Sequence, residues 1–232
     1  MYECVKSFFT DLGYTVFAEV KNCDIVLLKN DTITIIEMKT SFNLKLLYQA
    51  LDRLKISKDV YVCIPRPTKI TKTNYKNMIT IVKKLGLGLI IVAIDSPVHS
   101  VDILCLPAST VTEKSVKSNR KKSVLKEISG RTKDINTAGT LRAKLHTAYR
   151  EKNIKIACIM EKSGGISAKE LVNKYLCKKD AYSIIYKNFY GWFERIDKGI
   201  YSLSNVGKAF LNGLEFKELI EYYRNKYKEI PK

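Results

Sequence analysis

A carboxylate and a lysine stand two residues apart at the end of one apolar segment. The segment TITIIEMK (32–39) carries Glu37 and Lys39 in a run that is otherwise rich in β-branched residues. Successive strand side chains point to opposite faces, so Glu37 and Lys39 share a face, roughly 7 Å apart, while Met38 points the other way. An ion pair on a solvated strand end is the simplest interpretation of these two residues alone.

A second carboxylate favours metal chemistry instead. Asp24 opens the preceding apolar segment DIVLLK (24–29), and the turn residues between the two segments predict a β-hairpin. That hairpin brings Asp24 beside Glu37. Two carboxylates that converge at one sheet edge repel each other unless a cation lies between them, and hard oxygen ligands suit Mg²⁺ or Mn²⁺. An ordinary turn acid is the alternative interpretation of Asp24.

The residues around the two acids complete this chemistry. The backbone carbonyl of Met38 is the predicted third ligand, because its neighbours fix its position on the strand. Lys39 lies next to the predicted metal, where it can orient or deprotonate a water and stabilise the charge that grows on a phosphorus atom. The pattern therefore predicts hydrolysis of a phosphodiester.

This constellation resembles that of the PD-(D/E)XK phosphodiesterases. The helix in SFNLKLLYQALDRL is similar to one that supplies a supporting glutamine in many of these nucleases, here Gln49, and Glu3 matches an acid that some members place near the metal. The resemblance implies a restriction-endonuclease-like core. Cys23 stands where the superfamily has a proline, which shapes the turn and does no chemistry.

The resemblance covers nearly the whole chain. Similarity to a bacterial family assigned to the PD-(D/E)XK phosphodiesterases is carried by VCIPRP, LGLGLIIVAI, TAYREK and YGWFERIDKGIYSLSNVGKAFL.

Periodicity predicts the elements that position these residues. Residues 1–107 predict one α/β domain with a mixed sheet, in the order helix 2–12, strands 14–20, 24–29 and 32–39, helix 44–55, strand 60–64, helix 73–85 and strand 87–94. In helix 44–55, we expect Leu44, Leu47, Leu51 and Leu54 to face the core, with Lys45 and Gln49 facing the site.

Residues 108–140 predict a basic linker or a loosely held arm. The cluster of Lys114, Lys117, Arg120, Lys121 and Lys122 lies in a stretch with little apolar content. Such a cluster is either simply solvated or lies along a phosphate backbone. The following INTAGT reads as a loop, and the resemblance marks it as a family motif without indicating its role.

Residues 141–232 predict a winged-helix domain that binds DNA. Three helices are expected at about 142–162, 168–175 and 178–191, the last with Ala181, Ile184, Ile185 and Phe189 inward, followed by a β-hairpin and a helix capped by Ser204. The third helix would enter the major groove and the wing would touch phosphates. The predicted contacts are Lys178, Lys179, Lys187, Arg195 and Lys198, with Arg120, Lys121 and Lys122 from the linker. A dimerisation module with a solvent-exposed basic face is the alternative.

The net charge and the cysteine content indicate the type of partner and the cellular compartment. The formal net charge is +18, of which residues 1–107 carry +4 and residues 108–232 carry +14. This asymmetry favours a polyanionic partner, nucleic acid before a membrane surface. Six cysteines without a C-x-x-C pair indicate reduced thiols in a cytoplasmic protein, and no apolar stretch is long enough to span a bilayer.

We therefore expect a Mg²⁺-dependent (or Mn²⁺-dependent) phosphodiesterase, a DNA endonuclease that acts on double-stranded DNA. Asp24 and Glu37, together with the Met38 carbonyl and Glu3, are the predicted metal ligands; Lys39 and Gln49 complete the catalytic set. Two alternatives stay open: a DNA-binding regulator whose nuclease-like domain is a scaffold, and an RNA-processing nuclease. The sequence does not distinguish DNA from RNA or a monomer from a homodimer, and it leaves cleavage specificity open.

Overall fold

The structure, a computed structural model, describes residues 1–94, 100–108, 118–139, 144–175, 177 and 179–228. The chain divides into two compact units, Met1–Leu145 and His146–Lys232. In the described residues, no helix combines the length and the apolar character that crossing a membrane requires.

The first unit alternates helices and strands around one sheet. Its helices are α1 (Tyr2–Asp11), α2 (Leu44–Arg53), α3 (Lys72–Lys84) and α4 (Ser118–Ser129). Its strands are β1 (Thr15–Val20), β2 (Cys23–Lys29), β3 (Thr32–Met38), β4 (Asp59–Pro65), β5 (Gly88–Ala93) and β6 (Ser100–Cys105).

The strands form a mixed sheet in the order β1-β2-β3-β4-β5-β6. β1, β2 and β3 pair antiparallel as successive hairpins, β3, β4 and β5 run parallel, and β6 pairs antiparallel with β5. β5 is buried throughout, as expected for a central strand covered on both faces. The predicted α/β class with a mixed sheet is confirmed.

Helices cover both faces of this sheet. α1 packs through Val5 and Phe9 on the face that carries Ile25 and Ile36. The opposite face, with Val26, Ile33 and Ile35, is covered by α2, α3 and α4. Because Glu37 alternates with Ile36, it lies on the face covered by α2.

The buried side of α2 matches the predicted one only in part. Leu44 is 64% exposed and Leu51 is 36% exposed, whereas Leu46, Ala50 and Arg53 are buried. Leu47 is buried and Leu54 packs against the same core, as expected, so the leucine pattern predicted part of this face. It did not predict the buried arginine, which pairs with Glu37.

Two further elements of the first unit differ from the prediction. β6 was not expected, since SVDILC alternates weakly and contains an acid. Residues 118–139, expected within a linker, belong to the first unit, and α4 buries Val124 and Ile128 against the sheet. These two apolar residues are four apart, which is enough for one helix face even in a basic segment.

The second unit combines five helices with a small sheet in its described part. Its elements are α5 (Ala148–Ser163), β7 (Ile166–Ser167), α6 (Ala168–Asn173), α7 (Ala181–Lys187), β8 (Phe193–Asp197), β9 (Ile200–Leu203), α8 (Asn205–Leu211) and α9 (Lys217–Lys226). The strands pair antiparallel in the order β7-β9-β8. α9 was not predicted from the sequence.

Local signals in this unit account for where its helices begin. Ser167 and Glu170 form a complete capping box at the start of α6, and Ser204 accepts a hydrogen bond from Gly207 N at the start of α8. The prediction that Phe189 faces inward is wrong: its side chain is 72% exposed, because α7 ends at Lys187 and Asn188 adopts a left-handed conformation.

Candidate active site

The pairing register brings Asp24 and Glu37 to the same end of the β2–β3 ladder. The last pair of this ladder joins Ile25 of β2 to Ile36 of β3, and Asp24 and Glu37 are the next residues of their strands. Directly opposite residues of an antiparallel pair lie on the same face, with Cβ atoms about 5 Å apart. The two carboxylates of the predicted site are therefore neighbours at this end of the sheet, where the negative charge of Asp24 acts on Glu37.

Lys39 and Met38 complete this end of β3. The Lys39 Nζ atom lies 3.8 Å from Asp24 Oδ2, and the Met38 amide donates a hydrogen bond of 2.8 Å to the same oxygen. The Lys39 amide donates to the Cys63 carbonyl of β4, which fixes the backbone just beyond the strand. Asp24 and Lys39 are both partly exposed, so solvent or a substrate can reach them.

Glu37 is fully buried and has one free oxygen. Its Oε1 atom accepts a hydrogen bond of 2.7 Å from Arg53 Nε, while Oε2 has no hydrogen-bond partner among the described residues. Burial raises the pKa of Glu37 to about 7; the negative charge of Asp24 adds to this, and Arg53 and Lys39 oppose it. A buried carboxylate with an unsatisfied oxygen is costly unless a further partner is supplied.

Arg53, at the end of α2, is the main residue that sequence reasoning missed. Besides Glu37, its guanidinium donates to Asp52 Oδ2 and to the Asn22 carbonyl in the β1–β2 turn. Arg53 follows Gln49 by four residues, so helical spacing alone would have placed both residues on one side of α2. Arg53 was not predicted because the buried face of α2 was assigned from its leucines alone.

Gln49 and Glu3 differ in their relation to the site. Gln49 is partly buried on α2, and its Oε1 atom has no hydrogen-bond partner in the described part of the chain. Lys45, which was expected to face the site with it, is exposed. Glu3 is exposed on α1, which covers the opposite face of the sheet from Glu37, so the structure does not bring Glu3 to Asp24 and Glu37.

A third acid, Glu19, continues the row of carboxylates. Ala18 pairs with Ile25 and Val20 pairs with Cys23, so Glu19 of β1 lies beside Asp24 of β2, in an irregular part of the strand where its φ is +52°. Burial raises the pKa of Glu19, the Gly139 amide opposes this by donating to its Oε1 atom at 3.0 Å, and the charges of Asp24 and Lys39 also act on it. Counting back from the Lys21–Asn22 turn would have found this residue.

The segment that follows α4 fixes the edge strand that carries Glu19. Arg131 donates to the carbonyls of Ala18 and Glu19, Asn136 donates to Ala18 O, and Asp134 accepts from Ala18 N. These contacts satisfy the outward backbone groups of β1, which is an edge of the sheet.

The backbone conformation of Gly139 allows its amide to reach Glu19. Gly139 has a φ of +81°, a conformation that glycine adopts without steric cost, and it turns its amide toward Glu19. Most of the INTAGT motif, up to residue 139, thus lies in a loop that holds β1 and Glu19; its final threonine is outside the described residues.

The donors around Glu37 fit a hard divalent cation. In the described part of the chain, no cluster of three or more His, Cys, Asp or Glu side chains is close enough to hold a metal. Mg²⁺ typically binds proteins through one or two carboxylates and keeps several waters, so two acids and a backbone carbonyl are an adequate set. The free, buried Oε2 atom of Glu37 supports this fit.

The predicted nucleic-acid contacts lie in both units. Lys179, Lys187, Arg195 and Lys198 are exposed in the second unit, and Lys178 lies outside the described residues. In α4, Arg120 pairs with Asp52 at 3.1 Å, Lys122 is exposed and Lys121 is partly exposed. Lys114 and Lys117 also lie outside the described residues.

Comparison with known proteins identifies the family. The model of the family described as "Putative PD-(D/E)XK phosphodiesterase (DUF2161)" matches residues 90–210, from β5 into α8. Asp24, Glu37 and Lys39 precede the matched residues. No curated protein and no solved structure matches the chain. Because the match covers more than half of its length, the chain belongs to this PD-(D/E)XK phosphodiesterase family.

Proposed function

We propose that the protein is a metal-dependent phosphodiesterase that hydrolyses DNA, with its active site at Asp24, Glu37 and Lys39. The observation that carries this proposal is the pair of neighbouring carboxylates: Glu37 is fully buried with a free oxygen, and Asp24 lies beside Lys39. Membership in a PD-(D/E)XK family supports the reaction class. A cytoplasmic setting is part of this proposal.

Asp24, Glu37 and the Met38 carbonyl would hold Mg²⁺ or Mn²⁺. When bound, such an ion would lower the pKa of a coordinated water and neutralise charge on the phosphoryl group. Arg53 engages one oxygen of Glu37 and so fixes the orientation of its carboxylate, leaving the second oxygen available. Glu19 adds negative charge next to Asp24 and thereby favours a cation in this row.

Lys39 supplies the positive charge that the reaction requires. Its ammonium group lies near Asp24 and is partly exposed, so it can orient the attacking water and stabilise the negative charge that develops on the phosphate. Gln49 has an unsatisfied amide oxygen on the helix above, and it would support the site by accepting a hydrogen bond from that water.

The second unit is proposed to be a winged-helix domain that holds the duplex. Support comes from the chain order helix α5, strand β7, helices α6 and α7, then the β8–β9 hairpin, and from the β7-β9-β8 strand order. In this arrangement α7 is the groove-facing helix and the β8–β9 turn is the wing. Lys178, Lys179, Lys187, Arg195 and Lys198 would contact phosphates, together with Lys121 and Lys122 of the first unit. Arg120 would first have to leave Asp52.

One observation favours a second candidate function. Arg53 already neutralises part of the Glu37 charge, so this pair can be stable without a cation. A DNA-binding regulator whose first unit is only a scaffold would retain such a pair.

Incubation of the protein with plasmid, linear duplex, single-stranded DNA and RNA tests these proposals. Each substrate is combined with Mg²⁺, Mn²⁺ or EDTA, using wild-type protein and the Glu37→Gln variant. DNA cleavage that needs a divalent ion and disappears in the variant supports the proposed enzyme. Binding without cleavage under every metal condition would favour the regulator, and cleavage of RNA alone would assign the protein to RNA processing.

A further inference from the structure

A cleft in the second unit is lined by aromatic side chains and is formed by elements other than those of the carboxylate row. Its volume is about 390 Å³, and it lies between α6, α7 and β9. The lining residues are Ala168, Tyr182, Ser183, Ile185, Tyr186 and Tyr201. None of these side chains is charged, and the polar groups among them are hydroxyls. Such a lining suits a flat, uncharged group that can also form hydrogen bonds.

Two of the tyrosines project from α7 into solvent. Tyr182 is 52% exposed and Tyr186 is 84% exposed, and residues four apart on a helix are neighbours on one face. The inner face of α7 is formed by Ala181, Ile184 and Ile185, so these tyrosines are not needed for packing. Exposed aromatic surface beside a cleft is typical of an interaction site.

Three cations stand on or next to the elements that form the cleft or on the strand paired with one of them, although none lines it. Lys179 precedes α7, Lys187 is its last residue, and both are exposed. Arg195 of β8 pairs with Tyr201 of β9, which lines the cleft, and its guanidinium is exposed and donates to the Asp197 carbonyl. An apolar protein segment would gain nothing from this arrangement, whereas a nucleic acid presents phosphates to the cations and bases to the rings.

We propose that this tyrosine cleft binds an unpaired base of a nucleic acid. Bases stack on aromatic side chains regardless of sequence, and a paired base within a duplex cannot present its face to the cleft. This inference rests on the proposed function and narrows its substrate: the protein prefers a duplex that continues into a single-stranded segment. The wing cations contact the duplex, and the first unpaired base enters the cleft.

Binding in EDTA tests this assignment without requiring cleavage. The full-length protein is titrated against a blunt duplex and against the same duplex with a single-stranded extension that carries 2-aminopurine. Tyr186→Ala should weaken binding to the extended duplex by about 5- to 100-fold, as expected for one stacked base, and change binding to the blunt duplex less than about twofold. The quenching of 2-aminopurine fluorescence by the wild-type protein should be lost.

Two further variants separate stacking from other causes. Tyr186→Phe keeps the ring and should retain both the affinity and the quenching. Phe189→Ala removes another strongly exposed ring of this unit, one that does not line the cleft, and should leave both readouts unchanged. Because Tyr186 is so exposed, its truncation is not expected to affect folding, which circular dichroism checks.

The remaining outcomes contradict the proposal. If Tyr186→Ala weakened binding to both duplexes equally, Tyr186 would be assigned to duplex contacts. If binding to the extended duplex did not change, the cleft would not bind an unpaired base. A change in solution mass in Tyr186→Ala would instead identify a second copy of the chain as the occupant. The proposed hydrolysis fails separately, if the wild-type protein cuts no substrate with Mg²⁺ or Mn²⁺ while the quenching still depends on Tyr186.

Discussion

Arg53 donates a hydrogen bond of 2.7 Å to the one oxygen of Glu37 that has a partner, and the relative exposure of both side chains is 10% or less. The remaining oxygen of Glu37 is buried without a partner among the described residues. A carboxylate in this environment is held in one orientation, yet it is not fully satisfied. This combination is suited to a site that is rigid before a cation arrives.

Arg53→Met should destabilise the metal-free protein. Removal of one member of a buried pair leaves the other charge uncompensated, which typically costs about 3–5 kcal/mol in the free energy of unfolding. The cost should be larger at pH 8 than at pH 5, because Glu37 can take up a proton at the lower pH. Urea unfolding at both pH values measures this difference.

Lys55→Met provides the matched control for that experiment. Lys55 also pairs with an acid of α2, Asp52, but both side chains are exposed. A surface pair of this kind contributes at most about 1 kcal/mol. Equal destabilisation by the two variants would contradict the special role of the buried pair.

The raised pKa of Glu37 predicts a specific dependence of stability on pH. The folded state holds the Glu37 proton up to a pH of about 7, whereas the ordinary value is 4.5, so folding favours the protonated form. The contribution of Glu37 to the free energy of unfolding therefore falls as the pH rises between 4.5 and 7, by on the order of 3 kcal/mol, and is constant outside this window.

The Glu37→Gln variant isolates this contribution. The introduced glutamine would not titrate, so the difference in unfolding free energy between wild type and variant should change between pH 4.5 and about 7 and be constant outside this range. The lost pairing with Arg53 adds a contribution that does not depend on pH. Mn²⁺ binds the ionised carboxylate, so its affinity for the wild type should rise with pH up to about 7 and then level off. A pH-independent difference between wild type and variant would show that Glu37 titrates normally.

Much of the first unit follows from the sequence because its signals are local. Alternating and continuous apolar runs predicted β1 to β5 in order, and the turn after Lys29 was enough to place Asp24 near Glu37. β6 was not predicted because its alternation is weak and it contains an acid; it is stabilised by pairing with β5. α4 was not predicted because its apolar residues are few; it is stabilised by packing against the sheet.

The rest of the site depends on contacts between residues distant in the chain. Arg53 looks like a solvated helix end in the sequence, and only its partner Glu37 explains its burial. Glu19 accepts a hydrogen bond from the amide of Gly139, which lies 120 residues later in the chain. Conversely, Glu3 matched a family pattern by its position in the chain, but its helix packs on the other face of the sheet.

Lys39→Ala should abolish turnover while retaining the metal. If its ammonium stabilises charge that develops on the phosphate, the loss in kcat should be about 10²-fold or more. Calorimetric titration with Mn²⁺ should show binding close to that of the wild type, whereas Asp24→Ala and Glu37→Ala should lose it. Lys45→Ala, which removes an exposed lysine of α2, is the control and should keep full activity. Full cleavage by Lys39→Ala would rule out this mechanism.

Glu19→Gln should weaken metal binding without removing a structural contact. The amide oxygen of glutamine can still accept from the Gly139 amide, so the loop should stay in place while the negative charge beside Asp24 is lost. We expect about a tenfold loss of Mn²⁺ affinity, as is typical for groups next to metal ligands. Glu3→Gln, on the opposite face, should leave the affinity unchanged. A larger loss of Mn²⁺ affinity in Glu3→Gln than in Glu19→Gln would instead indicate that Glu3 acts at the metal site.

The salt dependence of DNA binding should report on the second unit. Each phosphate contact releases counterions, so the logarithm of the binding constant for duplex DNA should fall by about 0.9 per contact for each unit of log salt concentration. Neutral substitutions at Lys178, Lys179, Arg195 and Lys198 should flatten this slope by about one unit for each lost contact. A chain that ends at Leu145, the boundary of the first unit, should bind weakly with an even flatter slope.

A charge-matched variant shows whether position or net charge causes the effect. Neutral substitutions at Lys208, Lys217, Lys226 and Lys228 remove the same charge from exposed positions on and after α8 and α9, and should barely change the slope. An unchanged slope in the first four-site variant, together with a shift in solution mass, would assign this surface to dimerisation. Since the four substituted positions and the carboxylate row lie in separate units, that result would leave the mechanism at Asp24, Glu37 and Lys39 intact.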